Sequence, residues 1–441
     1  MIKNRWFVVI GAILVQLALG SLYSWGSMTI FVSPVLGLPR EMTVYIFGVS
    51  IISFAFTMIL AGDLMKKIGP QKTAILGAIV MGIGAFLSAF FIMLKSSLGY
   101  GVLGILVPFI GLIIAYGFLY GAGIGISYVV PIATANKWFP DKKGFITGVA
   151  VAGFGLGSFV FNYLIKFLAN PQGLQSNDPK FAAEMAKTVP IMFVVLGIIY
   201  LIAIIIGSKT LQNPPDGWLP EGWTPAAPKK GSLVSSRNYE RKELVRMRQS
   251  YLLMFAFLLS AMCGLIVIGS FAAFATSTDA QGNYIYAIGT VDFVLVASLA
   301  ALFNGTGRIV WGKIADSIGF KMTMMIMFVI QAILMFLYFT TNVNWVFFLL
   351  MTCLIFFCFG GNLALFPTGT SDLFGSKNLG KNYGFIFIGY GVAGFIGAVG
   401  VSLFVMTFGS YLFVFLFLGF LSLGAAALVF LIQPPTETKT E

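Results

Sequence analysis

The chain of 441 residues has no histidine, three cysteines and only 10% charged residues. Without histidine it lacks the commonest metal ligand and the commonest proton shuttle near neutral pH. Cys263, Cys353 and Cys358 fall inside apolar runs, with neither a metal-ligand spacing nor a secretory disulfide framework. Each is expected to behave as a small buried hydrophobe. The polar stretches hold no paired carboxylates, no Ser/His or Cys/His set and no metal cluster, which argues against a membrane enzyme. No catalytic residue, metal or cofactor is expected. The low charge also excludes an ordinary soluble domain, which would carry about 25% charged residues.

What the chain has instead is apolar length. It is 59% hydrophobic, with a mean hydropathy of +0.95. Runs of 18 or more apolar residues indicate transmembrane helices. Twelve segments qualify, near 6–30, 43–62, 72–94, 101–131, 144–168, 189–208, 250–275, 290–315, 322–341, 345–371, 382–406 and 409–433. The expected fold is an all-α membrane protein of twelve transmembrane helices. MIKNRWFVVI opens the first span and is not a cleaved signal, since no small-residue cleavage site follows.

An even number of spans puts both termini on one side. If that side is cytoplasmic, the outer loops hold only five basic residues: Arg40, Lys95, Lys166, Lys180 and Lys187. Arg308 lies within a span, and the other twenty-one of the 27 Lys and Arg face the cytoplasm. This asymmetry is what the positive-inside rule predicts. The net charge of +12 then reflects topology and anionic headgroups, with the lipid bilayer as partner and no nucleic acid.

Residues 209–248 form the one long polar stretch. NPPDGWLPEGWTPAAPKK is proline-rich and reads as an extended cytoplasmic linker. The basic run that ends it, RNYERKELVRMR at 237–248, reads as a surface helix on anionic headgroups. The expected division is an N-terminal six-helix half (1–208), the linker (209–248), a C-terminal six-helix half (249–433) and a tail (434–441). The halves repeat one another. Gly62-Asp63-Leu64-Met65-Lys66-Lys67-Ile68-Gly69 recurs 250 positions later as Gly312-Lys313-Ile314-Ala315-Asp316-Ser317-Ile318-Gly319. Two pseudo-symmetric halves with a site at their interface are the usual plan of secondary transporters.

Arg308 is the cation that cannot be moved to a surface. At ~1.5 Å per residue it lies about 12 Å inward of Asp316, near the midplane of a ~30 Å core. A guanidinium there costs at least ~2.5 kcal/mol and must face a polar cavity with a partner. The matching first-half position is Met58, so the scaffold alone does not require it. The planar fork suits a carboxylate through two parallel hydrogen bonds. Asn304, one turn away on the same face, can orient the fork or the ligand. Tyr128 and Tyr390 come to nearly the same depth from other spans. The alternative is an internal ion pair, for which the candidate acid, Asp292, lies ~24 Å along the helix. Gln16 reads as an interhelical hydrogen-bond partner. The glycine runs 121–125 and 153–157 look like nucleotide loops but sit in spans, so close helix packing is expected.

GSLYSW (20–25), ATANKWFPDKKG (133–144), NPPDGWLPEGW (213–223), NGTGRIVWG (304–312), ALFPTGTSDLFG (364–375) and KNYGF (381–385) together resemble the oxalate/formate antiporter family, relatives of monocarboxylate transporters within the major facilitator superfamily. The resemblance implies a major facilitator fold in the plasma membrane of a prokaryote. It implies Tyr23 as a cavity-lining or outer-gate tyrosine and Phe154 and Phe359 as aromatic walls. It also implies that Gly312, Asp316, Gly319 and Lys321, with Gly62 and Gly69 in the other half, form a gating loop. Lys66 stands where the superfamily pattern has an acid. Tyr390 stands where dicarboxylate exchangers of this family carry a second cation, a lysine. The function expected is therefore alternating-access transport of a small monocarboxylate such as formate, lactate or pyruvate, by antiport or proton symport. Its partners would be the organic anion and protons or a counter-anion, and the carrier would be a monomer. Alternatives are an oxalate-type dicarboxylate/formate exchanger and a membrane sensor that binds the anion without moving it.

Overall fold

A computed structural model describes residues 4–38, 40–99, 101–174, 178–215, 217–222, 233–235, 237–275, 293–408 and 410–435. These residues form twelve long helical rods. The first six are α1 (Trp6–Leu36), α2 (Arg40–Ile68), α3 (Pro70–Leu98), α4 (Val102–Trp138), α5 (Lys143–Ala169) and α6 (Phe181–Ser208). The second six are α7 (Arg248–Ala275), α8 (Phe293–Ile318), α9 (Phe320–Tyr338), α10 (Trp345–Phe374), α11 (Leu379–Ile386 continued as Ile388–Phe408) and α12 (Tyr411–Phe430). Ten of them, all but α8 and α11, are long and apolar enough on their described residues to cross a bilayer. The number of rods matches the sequence expectation. The first and fourth run longer than expected, to Leu36 and Trp138, because each continues through an internal proline, Pro34 and Pro131.

The repeat is visible in the turns. Gly69 and Gly319 precede α3 and α9 with φ of +82° and +83°, a region that glycine enters without steric cost. Thr73 and Thr323, again 250 apart, each donate a hydroxyl hydrogen bond to that glycine's carbonyl, at 2.7 and 2.8 Å.

Two antiparallel helix pairs join the halves. Along α5 and α8, a methyl added at Gly144 or Gly312 would strike the other glycine's carbonyl, one at Gly148 the Arg308 carbonyl, and one at Gly155 the Asn304 side chain. Along α2 and α11, Gly62 meets the backbone of Gly380 and Lys381, Gly384 meets Met58 and Gly391 meets Ala55. Between Gly144 and Gly155, eleven residues at ~1.5 Å each seal the α5–α8 seam backbone to backbone over about 16 Å. The sealed end carries Lys66, Lys67, Lys142 and Lys143, and is termed the basic end. The glycine runs also pack closely within the first half, Gly123 against Met81 and Gly153 against Ile13.

The linker, expected to be extended, makes contacts with both halves. Near its start it docks on the first half: Trp138 Nε1 donates to Gln212 O at 2.7 Å and stacks edge-on against Trp218. Further on it docks on the second half. Tyr239 N donates to Phe374 O at 2.9 Å, and Asn378 and Asn382 both donate to Tyr239 O at 3.0 Å. The basic run forms only a four-residue helical turn, Arg241–Leu244, closed by a capping box between Glu240 and Glu243. Arg241 reaches the bundle, at Asp63 and the Ile59 carbonyl, and Arg237 pairs within the run with Glu243.

Gly312→Val would force the seam apart, and overpacking of this kind costs about 1–3 kcal/mol. A lowered thermal midpoint of the purified protein in detergent is the expected outcome. Gly26→Ala, with open space around it, should leave the midpoint unchanged.

Candidate functional site

Arg308 lies on the α5–α8 seam, and its side chain is fully buried. Nε donates to Asn304 Oδ1 at 2.9 Å, as the i−4 spacing leads one to expect. Nη1 reaches across the seam to the backbone carbonyl of Val151 on α5, at 2.8 Å. The guanidinium carbon lies 5.4 Å from the centre of the Phe154 ring, within cation–π range. Nη2 has no hydrogen-bond partner. Among the described residues Arg308 forms no ion pair, and Asp292, the acid weighed as a partner, lies outside them. Every partner of the guanidinium is therefore neutral, and its positive charge is not cancelled.

Aromatic side chains of both halves enclose it. Phe154 packs edge-on against Tyr23 at 5.1 Å and Tyr128 at 5.2 Å. Tyr23 meets Phe359 at 6.1 Å, and its hydroxyl hydrogen-bonds that of Tyr390, joining α1 to α11. Phe359 and Tyr390 stack at 6.5 Å. All seven side chains expected at the site (Arg308, Asn304, Tyr128, Tyr390, Tyr23, Phe359 and Phe154) thus form one contiguous group. The charge of Arg308 acts on the hydroxyls of Tyr23, Tyr128 and Tyr390. Gln16 donates to Tyr128 O at 3.0 Å and holds α1 beside α4.

Sequence reasoning missed Phe54, Phe387 and Tyr383. Phe54 on α2 packs on Tyr128 at 5.0 Å and on Phe387 at 4.8 Å. Phe387 interrupts α11 and stacks on Tyr390 at 4.6 Å. Tyr383 stands seven residues before Tyr390 on the same face of α11, a spacing that was readable in the sequence. The two phenylalanines carried no such signal among 45 of their kind.

The gating residues divide. Asp316 accepts hydrogen bonds from the backbone N–H groups of Gly144 and Phe145, both at 2.8 Å. It caps the N-terminus of α5 from the opposite half, where α5 has no side-chain cap of its own. Helix-dipole attraction and capping are worth about 0.5–2 kcal/mol. Lys321 is not part of this latch. It donates to Ile432 O at 2.7 Å and lies over Phe430, tying α9 to the end of α12. In the first half Lys66 indeed offers no acid, but Asp63, three residues earlier, does. It pairs with Lys381 on α11 at 2.7 Å and with Arg241 of the linker turn at 2.8 Å. Arg241 also donates to Ile59 O at 3.0 Å. Part-exposed pairs contribute at most about 1 kcal/mol each. The basic end is closed by several weak contacts that can be broken together.

Comparison with known proteins places the chain. Residues 96–291 and 284–441 match the Major Facilitator Superfamily. An uncharacterised MFS-type transporter of Escherichia coli (strain K12), YhjX, is 29% identical over 390 residues, covering 88% of this chain and 86% of its own. The Oxalate:formate antiporter of Oxalobacter formigenes is 29% identical over 402 residues, covering 90% and 84%. Apicoplast pyruvate carrier 1 of Toxoplasma gondii is 26% identical over 463 residues, covering 87% and 81%. In fold, the crystal structure of the Escherichia coli fucose:proton symporter FucP superposes with a TM-score of 0.62 at 13% identity, covering 96% of this chain and 98% of that one.

Ala133 packs into the α2–α11 seam, 3.9 Å from where a methyl on Gly380 would sit, and the three native cysteines are buried. With Ala133→Cys as a reporter, Asp63→Asn and Asp316→Asn should each raise maleimide labelling several-fold. Unchanged labelling would show that neither carboxylate holds the basic end shut.

Proposed function

We propose, from the premise that this chain belongs to the Major Facilitator Superfamily, that it carries small monocarboxylates across the plasma membrane by alternating access. The observation that carries the reading is Nη2 of Arg308: one arm of a buried, otherwise engaged guanidinium, left without a partner at the junction of the two halves. A carboxylate seated there would gain a charge-assisted bond and neutralise the site. The names of the Oxalobacter antiporter and the Toxoplasma carrier support an organic anion as cargo. Tyr390 in place of a second cation supports one carboxylate over two, since a dianion would leave a net charge in a low-dielectric cavity.

In this reading Arg308 anchors the anion, Asn304 fixes the guanidinium plane, and Tyr23, Tyr128, Tyr390, Phe154 and Phe359 wall it in. Residues 1–208 and 249–433 act as the rocking halves, joined by 209–248, with the basic end in the cytoplasm. Asp316 and Asp63, with Gly62, Gly69, Gly312 and Gly319, close that end. The chemistry needed is binding and release, with no bond made or broken in the cargo.

The uncancelled charge also speaks to coupling. An unloaded carrier must reorient a bare buried cation, whereas a carrier loaded with a monocarboxylate is neutral. Desolvation of an unpaired ion costs several kcal/mol, so exchange is favoured over net transport.

The test is uptake of labelled lactate or formate into proteoliposomes. Removing one partner of a buried charge pair costs about 2–5 kcal/mol, so Arg308→Ala should lower uptake at least about thirtyfold. Arg308→Lys, which lacks the fork, should be impaired as well. Near-normal uptake by a folded Arg308→Ala protein would overturn the anchor. Efflux from preloaded vesicles should quicken at least about tenfold when unlabelled monocarboxylate is added outside; equal rates would remove the exchange reading.

A further inference from the structure

Two helices of the first half depart from α geometry, and they do so beside one another. α1 tightens to a 3₁₀ turn at Gly20–Ser24, and α4 swells to a π-helix at Ile113–Tyr120. The positions 250 residues later lie in α7 and α10, which run through them in ordinary α form. The scaffold therefore requires neither irregularity, and such segments within helices often mark hinges or functional sites.

The π segment is held by α2. Ser50, Ser53 and Thr57 donate hydroxyl hydrogen bonds to the α4 carbonyls of Tyr116, Phe118 and Ala122, at 3.1, 2.8 and 3.1 Å. Hydroxyls of a neighbouring helix can satisfy carbonyls that an irregular membrane helix frees. The tyrosines of the segment face α1. Tyr116 lies 4.3 Å from the Trp25 ring and stacks on Tyr120 at 4.3 Å. The Tyr120 hydroxyl lies 2.6 Å from Ser21 Oγ. Ser21 itself donates to Ala18 O at 2.5 Å, and a serine has a single hydrogen to give. Tyr120 is therefore the donor to Ser21.

Ser21 belongs to the 3₁₀ turn that carries Tyr23. α5 presses on the same turn: a methyl on Gly20 would strike the Phe154 carbonyl, and one on Gly157 the Leu17 carbonyl. From this clamp Tyr23 extends to the rings of Phe154 and Phe359 and to the hydroxyl of Tyr390 across the halves. A 3₁₀ turn advances about 120° per residue and an α-helix about 100°. Relaxing the turn to α form would swing Tyr23, three steps beyond Gly20, by about 60° and part it from Tyr390. We infer that Tyr120 is a positioning residue for the candidate site: its hydroxyl, presented by the π segment, pins the 3₁₀ turn of α1 and so aims Tyr23 at Tyr390 and Phe359. Its effect on transport rests on the carboxylate reading of Arg308; its effect on Tyr23 does not.

Tyr120→Phe keeps the ring and removes the tie. In full-length protein labelled with fluorotyrosine, the fluorine NMR line that disappears in Tyr23→Phe marks Tyr23, and this line should shift in Tyr120→Phe. A line that stays in place overturns the inference, whatever the cargo. In proteoliposomes, Tyr120→Phe should raise the KM for labelled lactate or formate about fivefold, the worth of one hydrogen bond between neutral groups. On a Tyr23→Phe background the same change should cost less than about twofold, because residues that act through one another are not additive. Losses that multiply in full indicate packing alone and overturn the positioning role. Ser21→Ala, which removes the acceptor, serves in both measurements if Tyr120→Phe does not fold. Wild-type protein that moves neither acid removes the carrier reading, and the Tyr23 line then decides the inference alone.

Discussion

One uncompensated positive charge at the centre of a low-dielectric bundle conditions everything around it. Arg308 is too deep to reach water, and its partners are an amide oxygen, a backbone carbonyl and a ring face. Neutral acceptors orient a guanidinium but do not cancel its field. The aromatic rings that enclose it supply no compensating charge. The same arginine explains why the seam must close so tightly at the basic end. Its backbone carbonyl is one of the surfaces that Gly148 packs against, so the turn that carries the buried cation also helps to seal the seam.

The part of the site set by helix periodicity and depth was legible in the sequence. Counting residues from charged helix ends brings Arg308, Tyr128 and Tyr390 to one level because a straight helix converts sequence distance into depth. The family resemblance added Tyr23, Phe154 and Phe359, which bare composition could not distinguish. What stayed hidden depends on which face of one helix meets which face of another. Phe54 and Phe387 matter through ring contacts between helices, Phe54 with Tyr128 and the two with each other across the halves. Lys321 looked like part of a latch because it ends the loop motif, yet its long side chain turns back to α12.

The first-half lock shows the limit of reading by register. The repeat places Lys66 opposite Asp316, which suggests that the first half has no acid in this role. Asp63 lies nearly one turn earlier on α2, and the partners it meets, Lys381 and Arg241, come from the other half and from the linker. The two halves therefore share a scaffold while closing by different contacts: Asp316 caps α5 beside a looser Lys143–Asp372 pair at 3.8 Å, and Asp63 pairs with Lys381 and Arg241. The linker was read as a tether because its prolines preclude regular structure. Lack of regular structure did not mean lack of contact: it lies against both halves and lends one of them a cation.

Glycine along the two seams has a consequence for how smoothly the halves can move. Closing a surface of side chains freezes rotamers, at up to about 2 kcal/mol for each long one. A face of glycine Cα atoms and carbonyls freezes none. Its closing surface has little ruggedness, few interlocked conformers to disentangle and little entropy to recover on parting. The barrier between closed and open forms is then concentrated in the handful of charges at the rim, where salt, lipid headgroups or a single substitution can reach it.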